Sequence, residues 1–139
     1  MFGRIETFSP QILGLTRILF GVMLASHGAQ KVLGAFGGVP AGTPAFIVWV
    51  AGAIELVGGA LIALGLLTRP AAFLNSGLLA VAYFLAHAPK GFWPILNGGE
   101  LAIIYSWLSL YLVAHGPGAF ALESRLTSRR EPVRRAAVA

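Results

Sequence analysis

Four long apolar runs, each punctuated by a capping residue or proline at its start and by glycine or proline at its end, dominate what this chain can fold into. The start signals are Ser9-Pro10, Thr43-Pro44, Thr68-Arg69-Pro70 and Asn97-Gly-Gly-Glu100, the last with the spacing of a capping box. The stops are Gly34, Gly65, Pro89 and Gly116-Pro117. They bound spans of roughly 10–34, 44–66, 69–88 and 98–115, the last two near the shortest length that crosses about 30 Å of hydrocarbon. With 57% hydrophobic and only 11% charged residues, the chain lies far outside the composition of a water-soluble domain. Backbone groups in lipid must be paired within the chain, and these runs are too long and too little alternating for barrel strands. The expected fold is all-α: an integral membrane four-helix bundle, up-down and antiparallel.

Charge sets the expected orientation. With both termini in the cytoplasm, Arg4, Arg69, Arg125, Arg129, Arg130, Arg134 and Arg135 fall inside, and only Lys31 and Lys90 fall outside. The net charge of +5 is concentrated in the last fifteen positions, which hold five of the ten basic residues, so it marks topology and not a nucleic-acid face. The expected organisation is a four-helix membrane domain over 1–122 and a basic, mobile cytoplasmic tail over 123–139. Arg17 interrupts the first span ahead of its apolar core, so that span is read as retained and not as a signal peptide. Gly14, Gly21 and Gly28 recur at heptad spacing on the first helix, as do Gly52 with Gly59 and Gly58 with Gly65 on the second, which leaves smooth stripes for close helix approach.

Charged side chains inside a membrane need a partner or a watery cavity. Counting about 1.5 Å per residue from the two ends, Arg17 and Glu55 fall at similar depth, and a buried Arg17–Glu55 ion pair clamping the first two helices is expected. His27, Gln30 and Lys31 share one face near the outer end of the first helix, and His87 and Glu100 reach the same level from the third and fourth. These five are the candidate lining of an outward-facing pocket. Each also has a simpler reading: Lys31 snorkelling to headgroups, Glu100 completing a cap on Asn97, His87 as an interfacial histidine. Two histidines at matched depth are the donor set of a bis-histidine haem, but no further motif accompanies them; zinc lacks a third ligand, and no metal is expected. The chain has no cysteine, so dithiol, iron–sulfur or thiolate-metal chemistry would have to come from a partner. Phe84, Tyr105, Trp107 and Tyr111 read as belt or packing residues; Phe36, Phe92 and Trp93 read as candidates to cap the pocket mouth.

The segments "HGAQKVLGAFGG" (27–38), "ELVGGALIALGLLTRPAA" (55–72), "NGGELAIIY" (97–105) and "HGPGAFALE" (115–123) together resemble the DoxX family of small bacterial membrane proteins. The resemblance runs in order through nearly the whole chain. It implies a four-helix bundle in the bacterial inner membrane and a role as an auxiliary subunit of membrane oxidoreductase systems, including thiosulfate:quinone and terminal quinol oxidation. It carries the family's first-helix His and Lys to His27 and Lys31, its second-helix acid to Glu55, and its Asn-Gly-Gly-Glu to Asn97 through Glu100. More distant relatives look like assembly chaperones or cargo receptors.

Three functions follow as expectations. The first is a subunit that supplies a quinone or small-molecule pocket near the outer face, with imidazole accepting protons and Lys31 donating to a carbonyl. The absence of an electron acceptor in the chain makes it a subunit in need of redox partners and not a complete enzyme. The second is a non-enzymatic scaffold or assembly factor that uses its small-residue seams to hold a partner helix or a second copy of itself. The third is a small transporter.

Overall fold

The computed structural model describes residues 6–126. Every regular element among them is helical. Helix α1 is Ser9–Leu33, α2 is Ile47–Leu64, α3 is Thr68–Lys90 and α4 is Glu100–His115. The first three are long and apolar enough to cross a membrane; α4, with 16 residues, is a shorter apolar helix. This is a multi-pass membrane protein.

The glycine stops work as read. Gly34 after α1 and Gly65 after α2 take the left-handed conformation, at φ 67° and 68°, that closes a helix and that side chains resist. The starts differ. None of α1 to α4 has an N-cap side chain bonded to its first turn. Helix α2 opens with a π-helical turn, Ile47–Ala51, led in by helical residues 45–46 whose first bonds reach Pro44 O, in keeping with the Thr43-Pro44 start signal. Helix α4 begins at Glu100, preceded by the single turn Pro94–Asn97. The expected capping box does not form, because Asn97 Oδ1 turns to the near amide of Gly99 at 2.8 Å instead of reaching Glu100.

Helices α1 and α2 pack along the glycine seam. A Cβ at Gly21 would strike the backbone of Ala63 and Gly59, and one at Gly28 the backbone of Leu56 and Gly52. Residue numbers rise on α1 as they fall on α2, so the pair is antiparallel. The same holds for α3 and α4, where Arg69 meets Val113, Ser76 meets Ser106 and His87 meets Asn97. The two pairs join through α2 against α3, and Phe20 on α1 closes the ring against Tyr105 on α4 with ring centroids 5.2 Å apart. Leu24, Ile62, Ala72, Leu79 and Leu112 fill the centre.

Polarity is distributed for lipid. Trp49, Phe73, Phe84, Ile104 and Trp107 lie exposed on the outside, while Arg17, Glu55, Thr68, Asn75, Asn97 and Ser109 are buried inside. Since lipid and core are equally apolar, helix association rests on close packing and interior hydrogen bonds, and the glycine seam serves both ends of that need.

Of the expected tail, residues 123–126 are helical, and Glu123 meets the α2–α3 link through its amide to Gly65 O at 3.0 Å. Arg4, Arg129, Arg130, Arg134 and Arg135, and with them most of the basic tail, lie outside the described residues.

Candidate functional site

A cavity of about 260 Å³ opens at the end of the bundle where α1 ends, α2 begins, α3 ends and α4 begins. His27 and Lys31 reach it from α1, Glu55 from α2 and His87 from α3. Leu24, Leu79 and Ala82 form apolar walls, and Tyr105 closes one side from α4. Local helical geometry explains the grouping: His27 and Lys31 are one turn apart on the same face, and the α1–α2 register set by Gly28 and Gly52 brings Glu55 alongside.

Lys31 Nζ and a Glu55 carboxylate oxygen form an ion pair in the cavity wall, with the Glu55 side chain 6% exposed and that of Lys31 20%. This corrects the expected Arg17–Glu55 pair. Helix α1 has 25 residues and runs about 37 Å, longer than the slab from which the two depths were counted. Glycine packing then places Arg17 opposite Ile62 and Ala63, about two turns of α2 away from Glu55.

Arg17 is fully buried, donates to main-chain carbonyls and lies within electrostatic reach of the Glu123 carboxylate. Nη1 donates to Ile62 O and Ala63 O at 2.6 Å, Nε to Pro117 O at 2.7 Å and Nη2 to Ala119 O at 3.2 Å. Two of these carbonyls end α2 and two belong to the loop after α4. The planar guanidinium therefore serves as a C-terminal cap and a strap for that loop, a task suited to its fixed fork of donors.

Of the five residues expected around the pocket, His27, Lys31 and His87 line it; Gln30 and Glu100 do not. Glu100 is exposed at the start of α4, and Gln30 lies beside the His27–Lys31 face and not on it, as a helical step of about 100° requires. His87 is held from behind: its Nδ1 lies 3.1 Å from Asn97 O and its ring stacks on Tyr83. Asn97 in turn donates to Gly91 O at 2.8 Å, so the Gly91–Gly99 loop is knit around one buried amide.

Two contributors escaped the sequence reading. Tyr105, read as a belt or packing residue, is 6% exposed, lines the cavity and approaches His27 edge-on at 6.0 Å between rings. Asn97, read as a cap, positions His87. Nothing in the sequence marked Tyr105 as inward-facing, because the lipid side and the core side of α4 are equally apolar.

Chemically, the site offers an ammonium with donors beyond the one used on Glu55, a carboxylate, two imidazoles and a phenol against aliphatic walls. It suits a small, flat, mostly apolar molecule with one or two carbonyl or hydroxyl oxygens. At about 260 Å³ it lies just below the range of about 300–1,000 Å³ usual for drug-sized ligands. A single-ring head fits; a long tail must lie outside. Among the described residues, no group of three or more His, Asp or Glu side chains is arranged to hold a metal ion.

Comparison with known proteins agrees with this architecture. The DoxX family model matches residues 12–88, which carry His27, Lys31, Glu55 and His87. An uncharacterized Haemophilus influenzae protein is 46% identical over 87% of this chain and 95% of its own length. An uncharacterized membrane protein of Mycobacterium tuberculosis is 31% identical over 81% of this chain and 80% of its own. A Bacillus subtilis protein, named "Putative oxidoreductase CatD", is 29% identical over 78% of this chain and 82% of its own. No solved structure is a significant match.

Proposed function

Since the chain belongs to the DoxX family, we propose that it is the membrane subunit of a quinone-linked oxidoreductase system and that its cavity receives the quinone or quinol head. The observation that carries this reading is the lining of that cavity: a Lys31–Glu55 pair and two imidazoles set in aliphatic walls at one end of a membrane bundle. The oxidoreductase name of the Bacillus subtilis relative adds support at the level of the class of system. In this reading all four helices cross the inner membrane, both termini are cytoplasmic, and the cavity lies near the outer leaflet, as the arginine distribution favours.

The residues divide the work by their chemistry. Lys31 donates a hydrogen bond to a carbonyl oxygen, with Glu55 holding the ammonium in place. His27 takes up the proton released by a quinol hydroxyl, a task for which imidazole, with an unperturbed pKa of about 6.5, is suited. His87, fixed by Asn97 and Tyr83, does the same from the opposite wall. Electrons pass to a partner subunit, since the sequence has no cysteine and the described residues hold no group of three or more metal-ligating side chains.

Purified protein extracted with organic solvent is expected to release a bound quinone. His27→Ala protein, which keeps the Lys31–Glu55 pair and folds, is expected to release less than a fifth as much. Equal quinone content in both proteins, or none in either, defeats the assignment.

A specific observation favours the scaffold alternative. A groove of about 410 Å³ runs along the outside of α3, beside Phe73, Ala80 and Val81, and Gly77 has no neighbour within 4 Å where a side chain would stand. A partner's transmembrane helix fits such a groove. Loss of co-purifying proteins in Gly77→Leu, with quinone content unchanged, is the outcome expected if that reading holds.

A further inference from the structure

We propose that a hydrated proton path runs through the bundle from the floor of the cavity to its opposite end, along four buried oxygens that hydrogen-bond to no described protein group. They are Tyr105 Oη, Ser109 Oγ, Asn75 Oδ1 and Thr68 Oγ1. Ser109, Asn75 and Thr68 are fully buried.

Their placement follows a line. Tyr105 and Ser109 are one turn apart on the same face of α4, and Asn75 and Thr68 are two turns apart on the same face of α3. The register of α3 on α4 is set by Ser76 opposite Ser106 and Arg69 opposite Val113. It places Asn75 at the level of Trp107, midway between Tyr105 and Ser109, with Thr68 beyond Ser109. At about 1.5 Å per residue the successive levels are about 3 Å, 3 Å and 8 Å apart. Single water molecules suffice for the two short steps and about two for the long one, at about 2.8 Å per hydrogen bond.

Each end of the line meets a carboxylate. Tyr105 lines the cavity that holds Glu55. The amide of Thr68 lies 3.3 Å from Glu123 Oε2, at the end of the bundle where α2 turns into α3.

Valine, alanine, leucine and phenylalanine would fill these four positions without an unpaired oxygen. Buried polar atoms in native proteins are, with few exceptions, bonded to protein or to ordered water, and a bilayer supplies no other solvent. Four such oxygens strung between two carboxylates are therefore read as the walls of a water file. Transfer along it balances at every step. The hydroxyls of Tyr105, Ser109 and Thr68 each accept a proton on a lone pair and give up their own to the next water. Asn75 Oδ1 only accepts a hydrogen bond and orients the water before it. One proton enters beside Glu55, one leaves beside Glu123, and every side chain on the line ends as it began. The path does not depend on what the cavity binds.

The test uses the full chain in liposomes with a potassium gradient, valinomycin and an internal pH dye, with no quinone added, so its failure is separate from failure of the quinone assignment. Wild-type vesicles are expected to pass protons at least fivefold faster than empty ones. Ser109→Ala and Thr68→Val, which delete an oxygen at nearly constant shape, are expected to remove most of that excess. Ser106→Ala, whose hydroxyl is bonded to Ser76 O at 2.9 Å, is expected to keep it. Flux equal to empty vesicles, or unchanged flux in Ser109→Ala and Thr68→Val, overturns the proposal. The melting temperature gives a second readout: a dry oxygen predicts that Thr68→Val melts several degrees higher, and a hydrated one that it melts at the same temperature or lower. A higher melting temperature also overturns it.

Discussion

Each end of this bundle holds a cationic side chain among its helices, and the two are handled in opposite ways. At the α2–α3 turn, Arg17 directs its guanidinium to four backbone carbonyls. At the other end, Lys31 meets a single carboxylate, and the pair stands in the wall of an open chamber with two imidazoles. Burial alone does not distinguish them; by burial Arg17 is the more extreme. What separates a structural charge from a candidate functional one is how much of its hydrogen-bonding capacity the protein's own backbone takes up: on Arg17, four of about five N–H donors. Arg17 is a strap; Lys31 and Glu55 retain capacity for a guest.

The largest effect tests the strap. Arg17→Met strips the ends of α2 and of the post-α4 loop of their donor and is expected to destabilise the protein by about 3–5 kcal/mol, the cost of leaving several buried carbonyls without a charged donor. Arg17→Lys is expected to recover little, because an ammonium lacks the planar fork that reaches four carbonyls. Unfolding midpoints in a denaturing detergent series measure both. A stable Arg17→Met protein that had lost only ligand binding would reverse the roles of the two ends.

Next comes the pair itself. Lys31→Met leaves the Glu55 carboxylate buried without its partner and is expected to cost about 3 kcal/mol, most of which Lys31→Met/Glu55→Gln regains. The same unfolding series closes this double-mutant cycle, and additive losses would show that the two side chains are not coupled. A smaller effect is expected at Tyr105→Phe, where affinity for a quinone probe falls about tenfold, or about 1.4 kcal/mol, with the melting temperature held. The smallest is Glu100→Gln: stability within about 0.5 kcal/mol of wild type, and unchanged probe binding, because Glu100 lies on the surface outside the chamber.

Much of the architecture was legible because membrane helices announce themselves by apolar length and by glycine stops, as at Gly34 and Gly65. The convergence of His27, Lys31 and His87 was legible too, since depth can be counted along a helix. Facing direction could not be counted. In a bundle whose lipid side and core are both apolar, no hydrophobic face shows which way Tyr105 or Gln30 turns. The Arg17–Glu55 pairing failed for a related reason. Ion pairing was sought between side chains, whereas the partners of Arg17 are carbonyls, which every residue carries and no sequence pattern marks. Asn97 was recognised as a turn residue, but its grip on Gly91 and its place behind His87 depend on a loop closing in space.

The most direct test of the contrast between the two ends is titration of a short-chain ubiquinone analogue into nanodisc-embedded protein, comparing wild type with Lys31→Met/Glu55→Gln at matched melting temperature. The account predicts saturable binding at one site per chain in wild type and at least tenfold weaker binding in the double variant. Equal affinity in the two proteins would contradict it.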